Sequence, residues 1–395
     1  MELFKMTSRI IVTCSNRLSG YLQEEITGLG FKTIRVFKTG VEIEGTLEDC
    51  IKLNLHVRCA SQVLFSLKEF RAFNADDVYK VLLDVEWEQV IPADGYFSIS
   101  SNVTNDTITN NLFANVKVKD AIADRYRAKT GARPNSGPDL VGAVIHLYWK
   151  EELAEIFLDT SGDTLSKHGY RKIPGKAPML ESLAAATLLA TKWDGVSAFI
   201  NPMCGSGTIA IEAALIATKR KPGLYRSNYA FMHLVGYEEE MYRREFSNLE
   251  KDVLTVPGIR IIASDNSEDA INISRVNAGI AGVEELIEFE LCDFANTTIP
   301  ADQQGVIYFN PEYGDRLGEE EELAKTYKRM GDFLKQACKG YTGYIFTGNL
   351  ELGKKIGLKP KRRIEFYTSK IDCRLFEYDL YAGTKDVFKL AETII

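Results

Sequence analysis

The run Phe199-Ile-Asn-Pro-Met-Cys-Gly-Ser-Gly-Thr208 decides the fold, because an apolar strand here delivers its carboxyl end into a loop that carries Gly205 and Gly207. The apolar residues from Ile209 to Ala217 predict a helix that begins directly after this glycine loop. Glycines let a ligand approach the backbone closely, and a helix N-terminus favours a carboxylate or a phosphate. A glycine pair alone is as typical of plain strand–turn–helix packing. The loop is not a Walker loop, because no Gly-Lys-Ser/Thr follows it.

Strand-like runs alternate with helical runs along this half of the chain. The strand-like runs are 197–201, 259–265, 287–293, 305–310 and 341–347. This alternation predicts a parallel, doubly wound sheet. Two further runs, Ile364 to Ser369 and Cys373 to Ala382, predict an antiparallel pair at one edge of the sheet. An insertion of roughly Lys219 to Pro257 separates the first two strands.

Acidic residues end the next two predicted strands. Ile261-Ile-Ala-Ser-Asp265 closes one strand, and Leu291-Cys-Asp293 closes the other. A carboxylate in this position can accept hydrogen bonds from a ribose diol, as it does in dinucleotide sites. A nicotinamide dehydrogenase fits poorly, because the glycine loop lacks the GxGxxG pattern. One such aspartate is commonly a helix cap, but two after a glycine loop indicate a cofactor that contains a nucleoside.

The run Val306-Ile-Tyr-Phe-Asn-Pro-Glu-Tyr-Gly314 should bring Asn310 to Tyr313 to the same edge of the sheet as the glycine loop. The side-chain oxygen of Asn310 and the carbonyl of Pro311 can both accept hydrogen bonds from one NH₂ group. Tyr313 offers a face on which a planar base can stack. An Asn-Pro turn that merely closes a strand is the simpler interpretation of this run taken alone.

The first 160 residues read as two smaller α/β regions, 1–65 and 66–160. The first region has predicted strands and helices whose order fits a ferredoxin-like fold by analogy: strands Arg9–Cys14, Thr33–Phe37 and Gly40–Glu44, and helices Leu18–Leu29 and Leu47–Leu55. The second region has two predicted helices, a strand and a hairpin: helices Ala75–Leu83 and Leu112–Lys129, strand Tyr96–Ser100, and hairpin strands Val141–Trp149 and Leu153–Asp159.

The composition narrows the class of protein. A chain of 395 residues with 45% hydrophobic and 26% charged residues is typical of two or three globular domains. Its seven cysteines are scattered without a CxxC pair, and its four histidines are far apart, so we expect neither disulfides nor a metal site. No run of 18 apolar residues predicts a membrane span. The first residues lack the layout of a secretory signal, so a cytoplasmic protein is expected.

Taken together, these motifs resemble the class I S-adenosylmethionine-dependent RNA methyltransferases that carry a THUMP domain, specifically the bacterial 23S rRNA guanine-N2 methyltransferases. The family's glycine motif, (D/N)PMCGSGT, matches Asn201 to Thr208, and its catalytic motif, NPPYGERL, matches Asn310 to Leu317. The family segment that precedes the catalytic fold matches Lys167 to Arg171 and Ala177 to Ala185. The resemblance spans essentially the whole chain. It implies a ferredoxin-like module in 1–65, an RNA-binding THUMP domain in 66–160 and a Rossmann-like methyltransferase domain in 161–395.

The resemblance also implies the residues of the site. Asn310, Pro311 and Tyr313 are the implied catalytic residues, and no metal takes part. In the implied cofactor site, Asp265 binds the ribose and Asp293 the adenine amine of S-adenosylmethionine. The full set of implied cofactor contacts is Pro178, Asn201, Cys204, Gly205, Ser206, Gly207, Thr208, Asp265, Asn266, Asp293 and Phe294. The implied partner is RNA, either 23S rRNA or an assembling large ribosomal subunit, and no membrane is implied.

The net charge of −7 confines RNA contact to local basic clusters. Four candidate clusters stand out: Gly353–Arg363, Lys117–Arg133, the group Lys167, Arg171, Lys172 and Lys176, and Lys219–Lys221 with Arg226. Each cluster alone is commonly a solvated face. The inserted segment adds Tyr225, Tyr229 and Phe231, which either hold unstacked bases or pack in a core.

Two departures from the family pattern keep alternatives open. Asn201 stands where the family often has aspartate, and Glu312 replaces the second proline of the catalytic motif. The motif also serves adenine N6, and transfer RNA is an alternative substrate. A non-catalytic RNA-binding assembly factor, with Glu312 blocking the pocket, is the alternative from another class. Cys204 as a nucleophile for pyrimidine C5 methylation is disfavoured, because that chemistry needs a cysteine in the catalytic loop.

Overall fold

The computed structural model describes residues 2–108, 110–175, 178–313, 320–368 and 371–381. Contacts between residues divide the chain into two compact units. The amino-terminal unit comprises Met1–His168 and Lys221–Asp252, and the carboxy-terminal unit comprises Gly169–Arg220 and Val253–Ile395. Most of the predicted insertion therefore belongs with the amino-terminal unit.

The amino-terminal unit contains one mixed sheet. Its strands are β1 (Thr7–Thr13), β2 (Thr33–Phe37), β3 (Gly40–Thr46), β4 (Gln62–Arg71), β5 (Tyr96–Thr104), β6 (Asn135–Ser136), β7 (Ala143–Lys150) and β8 (Leu153–Asp159). The first helices are α1 (Ser19–Gly28), α2 (Leu47–His56), α3 (Ala75–Leu83) and α4 (Asn111–Thr130). Thr46 and Asp49 form a reciprocal capping box at the start of α2, and Asn74 caps α3.

Strand β4 joins the two predicted regions of this unit. Within the described residues the strand order is β2-β3-β1-β4-β8-β7-β5-β6, and β4 pairs antiparallel with both β1 and β8. The sequence reading missed this strand, which runs across the predicted boundary at residue 65. The domain boundaries at residues 65 and 160 stay a prediction.

The carboxy-terminal unit contains the predicted parallel sheet. Its strands are β9 (Ala198–Pro202), β10 (Ile261–Asp265), β11 (Ile287–Leu291), β12 (Gly305–Phe309), β13 (Thr342–Thr347), β14 (Arg362–Thr368) and β15 (Ile371–Asp379). The helices that follow α4 along the chain are α5 (Glu181–Thr191), α6 (Thr208–Ala217), α7 (Glu239–Lys251), α8 (Glu268–Ile280), α9 (Glu320–Gln336) and α10 (Leu350–Lys355). Of these, α7 belongs to the amino-terminal unit.

The order of these strands creates a crevice for a ligand. Across the described residues the order is β11-β10-β9-β12-β13-β15-β14. The five strands from β9 to β13 are parallel to one another, and β15 is antiparallel to both β13 and β14, so the parallel sheet and the antiparallel edge pair are as predicted. The order reverses between β9 and β12, which is the switch point where ligands bind beyond the carboxyl ends of the strands. Behind it, Ile200, Ile307 and Ile345 pack in a core with Tyr327 and Met330 of α9.

The aromatic residues of the insertion pack in the core of the amino-terminal unit. Tyr229 and Phe231 are fully buried, and their ring centroids stack 5.1 Å apart. Arg226 lies over the Tyr229 ring at 5.0 Å and donates hydrogen bonds to the carbonyls of Asp163 and Thr164, each at 2.8 Å. Core packing is therefore the role of the two aromatic residues, and the Arg226 guanidinium is engaged by the protein itself.

No helix within the described ranges has the length and apolar character that crossing a membrane requires.

Candidate active site

The glycine loop between β9 and α6 has a left-handed backbone at three positions. Met203, Gly205 and Gly207 have φ angles of 58°, 57° and 79°. A Cβ on Gly207 would lie 3.0 Å from the side chain of Ser274, whereas a Cβ on Gly205 would meet nothing within 4 Å. Gly207 is therefore required for its conformation and for close packing. Gly205 faces open space at the carboxyl edge of the sheet.

Asp265, the last residue of β10, holds this loop in place. One carboxylate oxygen accepts the Gly205 N–H at 2.9 Å, and the other accepts the Ser267 N–H at 3.0 Å. A carboxylate oxygen accepts more than one hydrogen bond, so both oxygens keep capacity for a ligand hydroxyl. The geometry therefore suits the ribose role that the resemblance implies.

Helix α8 fixes the other side of the glycine loop. The Ser274 hydroxyl donates to the Gly205 carbonyl at 2.7 Å. The Asn277 amide donates to the carbonyls of Ser206 and Ile173, at 3.3 and 3.0 Å, and its oxygen accepts the Ile173 N–H at 3.2 Å. Sequence reasoning missed both residues, because nothing near them along the chain marks a contact made across 70 residues.

Arg171, which the sequence placed in a basic RNA-facing group, is instead buried. Its side chain is 9% exposed and pairs at 2.9 Å with Glu181, whose side chain is 2% exposed. The guanidinium also donates to the Thr208 hydroxyl at 3.2 Å and to the Met179 carbonyl at 2.6 Å. The expectation for Arg171 was wrong, because charge along a sequence does not reveal burial. Through these bonds Arg171 links Met179, which follows the exposed Pro178, to Thr208 at the start of α6.

Asn201 lies near the end of β9 and is 1% exposed. Its amide donates to the Tyr308 carbonyl of β12 at 2.9 Å, across the switch point. An aspartate could not donate this bond, which gives a physical reason for asparagine at this position. The Asn201 amide oxygen is buried and has no hydrogen-bond partner within the described part of the chain.

Cys204 is unsuited to covalent catalysis. Its sulfur lies 3.7 Å from the Ser274 hydroxyl oxygen, and burial raises the pKa of the thiol to about 12. The thiolate is the nucleophilic form, so a neutral thiol in this position is unreactive near neutral pH.

Asp293 lies two residues beyond β11. The strand was predicted over 287–293 but ends at Leu291 in the structure. Its carboxylate accepts the Ala295 N–H at 3.0 Å and the Arg329 guanidinium at 2.7 Å. Burial alone would raise the pKa of Asp293, but these two donors outweigh burial and lower it. Arg329 also lies 4.8 Å over the Phe294 ring, which packs in the core. Arg329 is a third residue of the candidate site, after Ser274 and Asn277, that the sequence reading missed.

The loop predicted to be catalytic, residues 310–313 (the catalytic loop below), follows β12. Asn310 is half-buried, Pro311 is buried and Glu312 is exposed. No hydrogen bond engages the Asn310 side chain among the residues that the structure describes. Residues 314–317 of the matched motif lie outside the described residues.

Tyr313 packs against the backbone of the next strand end. A Cβ on Gly348 would lie 2.9 and 3.0 Å from two carbons of the Tyr313 ring. Burial, with a smaller contribution from Cys373, raises the pKa of Tyr313 to about 12, so the phenol is neutral near physiological pH. Gly348 thus backs one side of the ring that the resemblance assigns to base stacking.

The remaining basic clusters are partly engaged by acids. In the amino-terminal unit, Lys117 pairs with Asp76 at 2.7 Å and Arg125 with Glu88 at 2.6 Å. In the carboxy-terminal unit, Lys354 pairs with Glu351 at 2.6 Å and Lys361 with Asp379 at 3.1 Å, and Arg362 pairs with Glu377. These partner acids all lie outside the basic runs 117–133 and 353–363, so the sequence of the runs did not reveal the pairing.

This sheet order, with a glycine loop at the switch point and acidic residues at the carboxyl ends of the next two strands, defines a methyltransferase fold. The protein-family model for the RMKL-like methyltransferase domain matches residues 168–377 of this chain. The RlmL ferredoxin-like domain matches residues 9–64, and the THUMP domain matches residues 72–159. The chain belongs to the RMKL-like methyltransferase family. The resemblance and the fold class predicted from the sequence are therefore confirmed.

Individual relatives agree with this placement. The ribosomal RNA large subunit methyltransferase K/L of Syntrophotalea carbinolica is 32% identical over 383 residues, which cover 94% of this chain and 53% of the relative. The chain thus spans about half the length of the curated relatives it matches. A Listeria monocytogenes str. 4b F2365 protein named as a predicted N6-adenine-specific DNA methylase is 28% identical, with a TM-score of 0.83 and coverage of 95% and 97%. SMU.472, solved in complex with S-adenosylhomocysteine, is 24% identical, with a TM-score of 0.86 and coverage of 96% and 100%.

Proposed function

We propose that this chain transfers a methyl group from S-adenosylmethionine to the exocyclic N2 amine of a guanine in 23S rRNA. The observation that carries the proposal is the acceptor pair of Asn310 and Pro311, which follows β12 at the same sheet edge as the glycine loop. Membership of the methyltransferase family supports the reaction type. The THUMP match and the ribosomal RNA large subunit methyltransferase K/L relatives support RNA of the large subunit as the substrate.

The residues at the sheet edge fit the cofactor. Gly205 faces open space, Asp265 keeps acceptor capacity for a ribose diol, and the ionised Asp293 can accept from an adenine amine. Ser206 and Thr208 carry N–H groups at the start of α6, where a carboxylate such as that of a methionine moiety is favoured, while the Gly207 N–H donates to the Cys204 carbonyl at 2.9 Å and shapes the loop. These assignments, with those of Pro178, Asn201, Cys204, Asn266 and Phe294, are part of the proposal. When bound, the cofactor supplies a methyl group already activated by its sulfonium.

The catalytic loop would act by positioning. The exocyclic amine of guanine is a poor nucleophile, because its lone pair is delocalised into the ring. Two hydrogen bonds, from the amine to the Asn310 oxygen and to the Pro311 carbonyl, would turn this lone pair towards the methyl group. Alignment at near-attack distance then lowers the barrier without a covalent step. Tyr313, backed by Gly348, would support a base that has left its stack.

Binding of RNA would be electrostatic and sensitive to salt. Lysines and arginines that track phosphates release counterions, so affinity falls steeply as salt rises. A free 23S rRNA or an assembling large subunit would be bound in this way, and such a substrate puts the activity in the cytoplasm. Transfer RNA, and adenine N6 as the acceptor, are the alternatives that the experiment below separates.

The experiment compares Asn310→Ala with Asp265→Ala. Tritium-labelled S-adenosylmethionine is incubated with large-subunit rRNA or bulk tRNA, and S-adenosylhomocysteine affinity is measured by calorimetry. Asn310→Ala should abolish label transfer to rRNA while its affinity stays within about twofold of wild type. Asp265→Ala should instead weaken binding by about tenfold or more, the effect of losing charge-assisted hydrogen bonds. Wild-type turnover in Asn310→Ala contradicts the role of this residue. Label found only in tRNA contradicts rRNA as the substrate, and label found only in adenine contradicts guanine as the acceptor.

A further inference from the structure

Tyr327 of α9 joins the catalytic loop to the core of the carboxy-terminal unit. The residue is fully buried in the cluster behind the sheet. Its hydroxyl donates to the main-chain carbonyl of Glu312 at 3.3 Å and lies 2.9 Å from the Thr347 hydroxyl oxygen. A buried phenol that bonds a loop carbonyl restrains the backbone on both sides of that carbonyl.

The donors in this contact can be ordered. Tyr327 has one hydroxyl proton, and when it donates this proton to Glu312 its oxygen can accept from Thr347. The Thr347 hydroxyl lies 2.9 Å from the Tyr327 oxygen and 3.4 Å from the Asn349 carbonyl, so donation over the shorter distance goes to Tyr327, and the Thr347 oxygen accepts the Asn349 N–H at 3.1 Å. A directed chain of hydrogen bonds therefore runs from the start of α10, through the end of β13, to the catalytic loop. Each group in it has a partner, which makes the arrangement rigid.

The bonded carbonyl lies at a sensitive point. Glu312 is flanked by Pro311, whose carbonyl would accept from the substrate amine, and by Tyr313, whose ring would support the base. A rotation of the peptide that carries the Glu312 carbonyl would re-aim both neighbours. The exposed Glu312 side chain plays no part in the contact, so a residue of any type at position 312 could make it through its carbonyl.

We propose that Tyr327 is a positioning residue for methyl transfer, which orients the Pro311–Tyr313 backbone through the Glu312 carbonyl. The proposal rests on the proposed function of the catalytic loop. It assigns no contact between Tyr327 and the cofactor. Loss of the hydroxyl should therefore lower kcat and leave the affinity for S-adenosylhomocysteine unchanged.

The test compares Tyr327→Phe with the matched variant Tyr341→Phe. Tyr341 is also buried in this unit, and its hydroxyl donates to the Pro300 carbonyl at 2.8 Å, away from the catalytic loop. Both variants lose one buried hydroxyl that bonds a backbone carbonyl, so both should lose similar stability. A third variant, Thr347→Val, removes one link but leaves Tyr327 free to donate, and its effect should be smaller.

Two measurements are made on each variant. The first is amide hydrogen exchange of peptides that cover residues 305–313, which requires no substrate. Tyr327→Phe should raise exchange there roughly fivefold, the effect expected for one lost hydrogen bond, and Tyr341→Phe should not. The second is turnover on large-subunit rRNA, where Tyr327→Phe should lower kcat by about tenfold or more at unchanged S-adenosylhomocysteine affinity.

The outcomes separate this proposal from the proposed function. A wild-type chain that methylates no RNA overturns the function, while hydrogen exchange still reports whether Tyr327 restrains the loop. Equal exchange and equal kcat in Tyr327→Phe and Tyr341→Phe overturn the positioning role. Weaker S-adenosylhomocysteine binding in Tyr327→Phe alone also overturns it, because the effect would then reach the cofactor.

Discussion

Gly348→Ala should lower kcat strongly, although Gly348 itself would not contact the substrate. The new Cβ would lie 2.9 and 3.0 Å from two ring carbons of Tyr313, and 2.6 Å from the Cγ2 of Ile371. The Ile371 side chain is exposed and can turn away, whereas the half-buried Tyr313 ring lies directly against Gly348. The substitution therefore acts mainly on the ring that would hold the base.

The size of the effect follows from the contact distances. Carbon atoms pack at about 3.5 Å or more, so the ring must move by roughly 0.6 Å. Overpacking of this kind costs about 1–3 kcal/mol of stability. A misplacement of about 1 Å in a reacting geometry costs roughly a hundredfold in rate, so a shift of this size should lower kcat by roughly ten- to thirtyfold.

The assay pairs Gly348→Ala with Gly353→Ala. A Cβ on Gly353 would lie 2.8 Å from the Phe376 ring, so this control also crowds an aromatic ring of the same unit. Urea denaturation, S-adenosylhomocysteine calorimetry and kcat on large-subunit rRNA are measured for both. Both should lose stability and keep cofactor affinity, but only Gly348→Ala should lose turnover. Equal kcat in the two variants would refute the support that Gly348 gives to Tyr313.

Four further substitutions test single contacts. Asn277→Ala removes a fully buried amide that donates to the carbonyls of Ser206 and Ile173, and it should lower the free energy of unfolding by about 1–3 kcal/mol in urea. Arg329→Ala frees Asp293 from its guanidinium and should weaken S-adenosylhomocysteine binding about threefold by calorimetry, with no change in saturated kcat. Cys204→Ser should keep turnover, because burial raises the pKa of the thiol to about 12 and keeps it neutral at pH 8; inactivity with cofactor still bound contradicts this. Glu312→Gln removes an exposed carboxylate that would repel the phosphates of a bound RNA, and it should lower the KM for rRNA about twofold at low salt, an effect that vanishes at high salt.

Periodicity and turn residues predicted most of the elements. Helix α3 and strand β8 have the predicted bounds, and the predicted edge pair is present as β14 and β15, each of which begins two residues earlier than predicted, while Ser369 and Ala382 of the predicted runs lie outside the described residues. These elements are set by local patterns of side chains. Strand β4 was missed because its pairing with both β1 and β8 is a property of the sheet, and its sequence mixes charged and apolar residues.

The residues of the candidate site also fall into two groups, those that a local motif indicates and those that only the packing of the fold brings to the site. Gly207, Asp265 and Asn310 lie at or just after the end of a strand, each within one local motif, so the sequence could single them out. Tyr327 and Asn277 meet the loops only through the packing of helices, and no local pattern indicates such a contact. Arg171 was misjudged because a buried ion pair depends on a partner ten residues away, which a count of basic residues ignores.

Product analysis tests the central proposal most directly. The purified chain is incubated with tritium-labelled S-adenosylmethionine and large-subunit rRNA, and the RNA is digested to nucleosides and separated. Label should appear in N2-methylguanosine. Label in N6-methyladenosine would contradict guanine as the acceptor, and no label in any nucleoside while S-adenosylhomocysteine still binds would contradict methyl transfer itself.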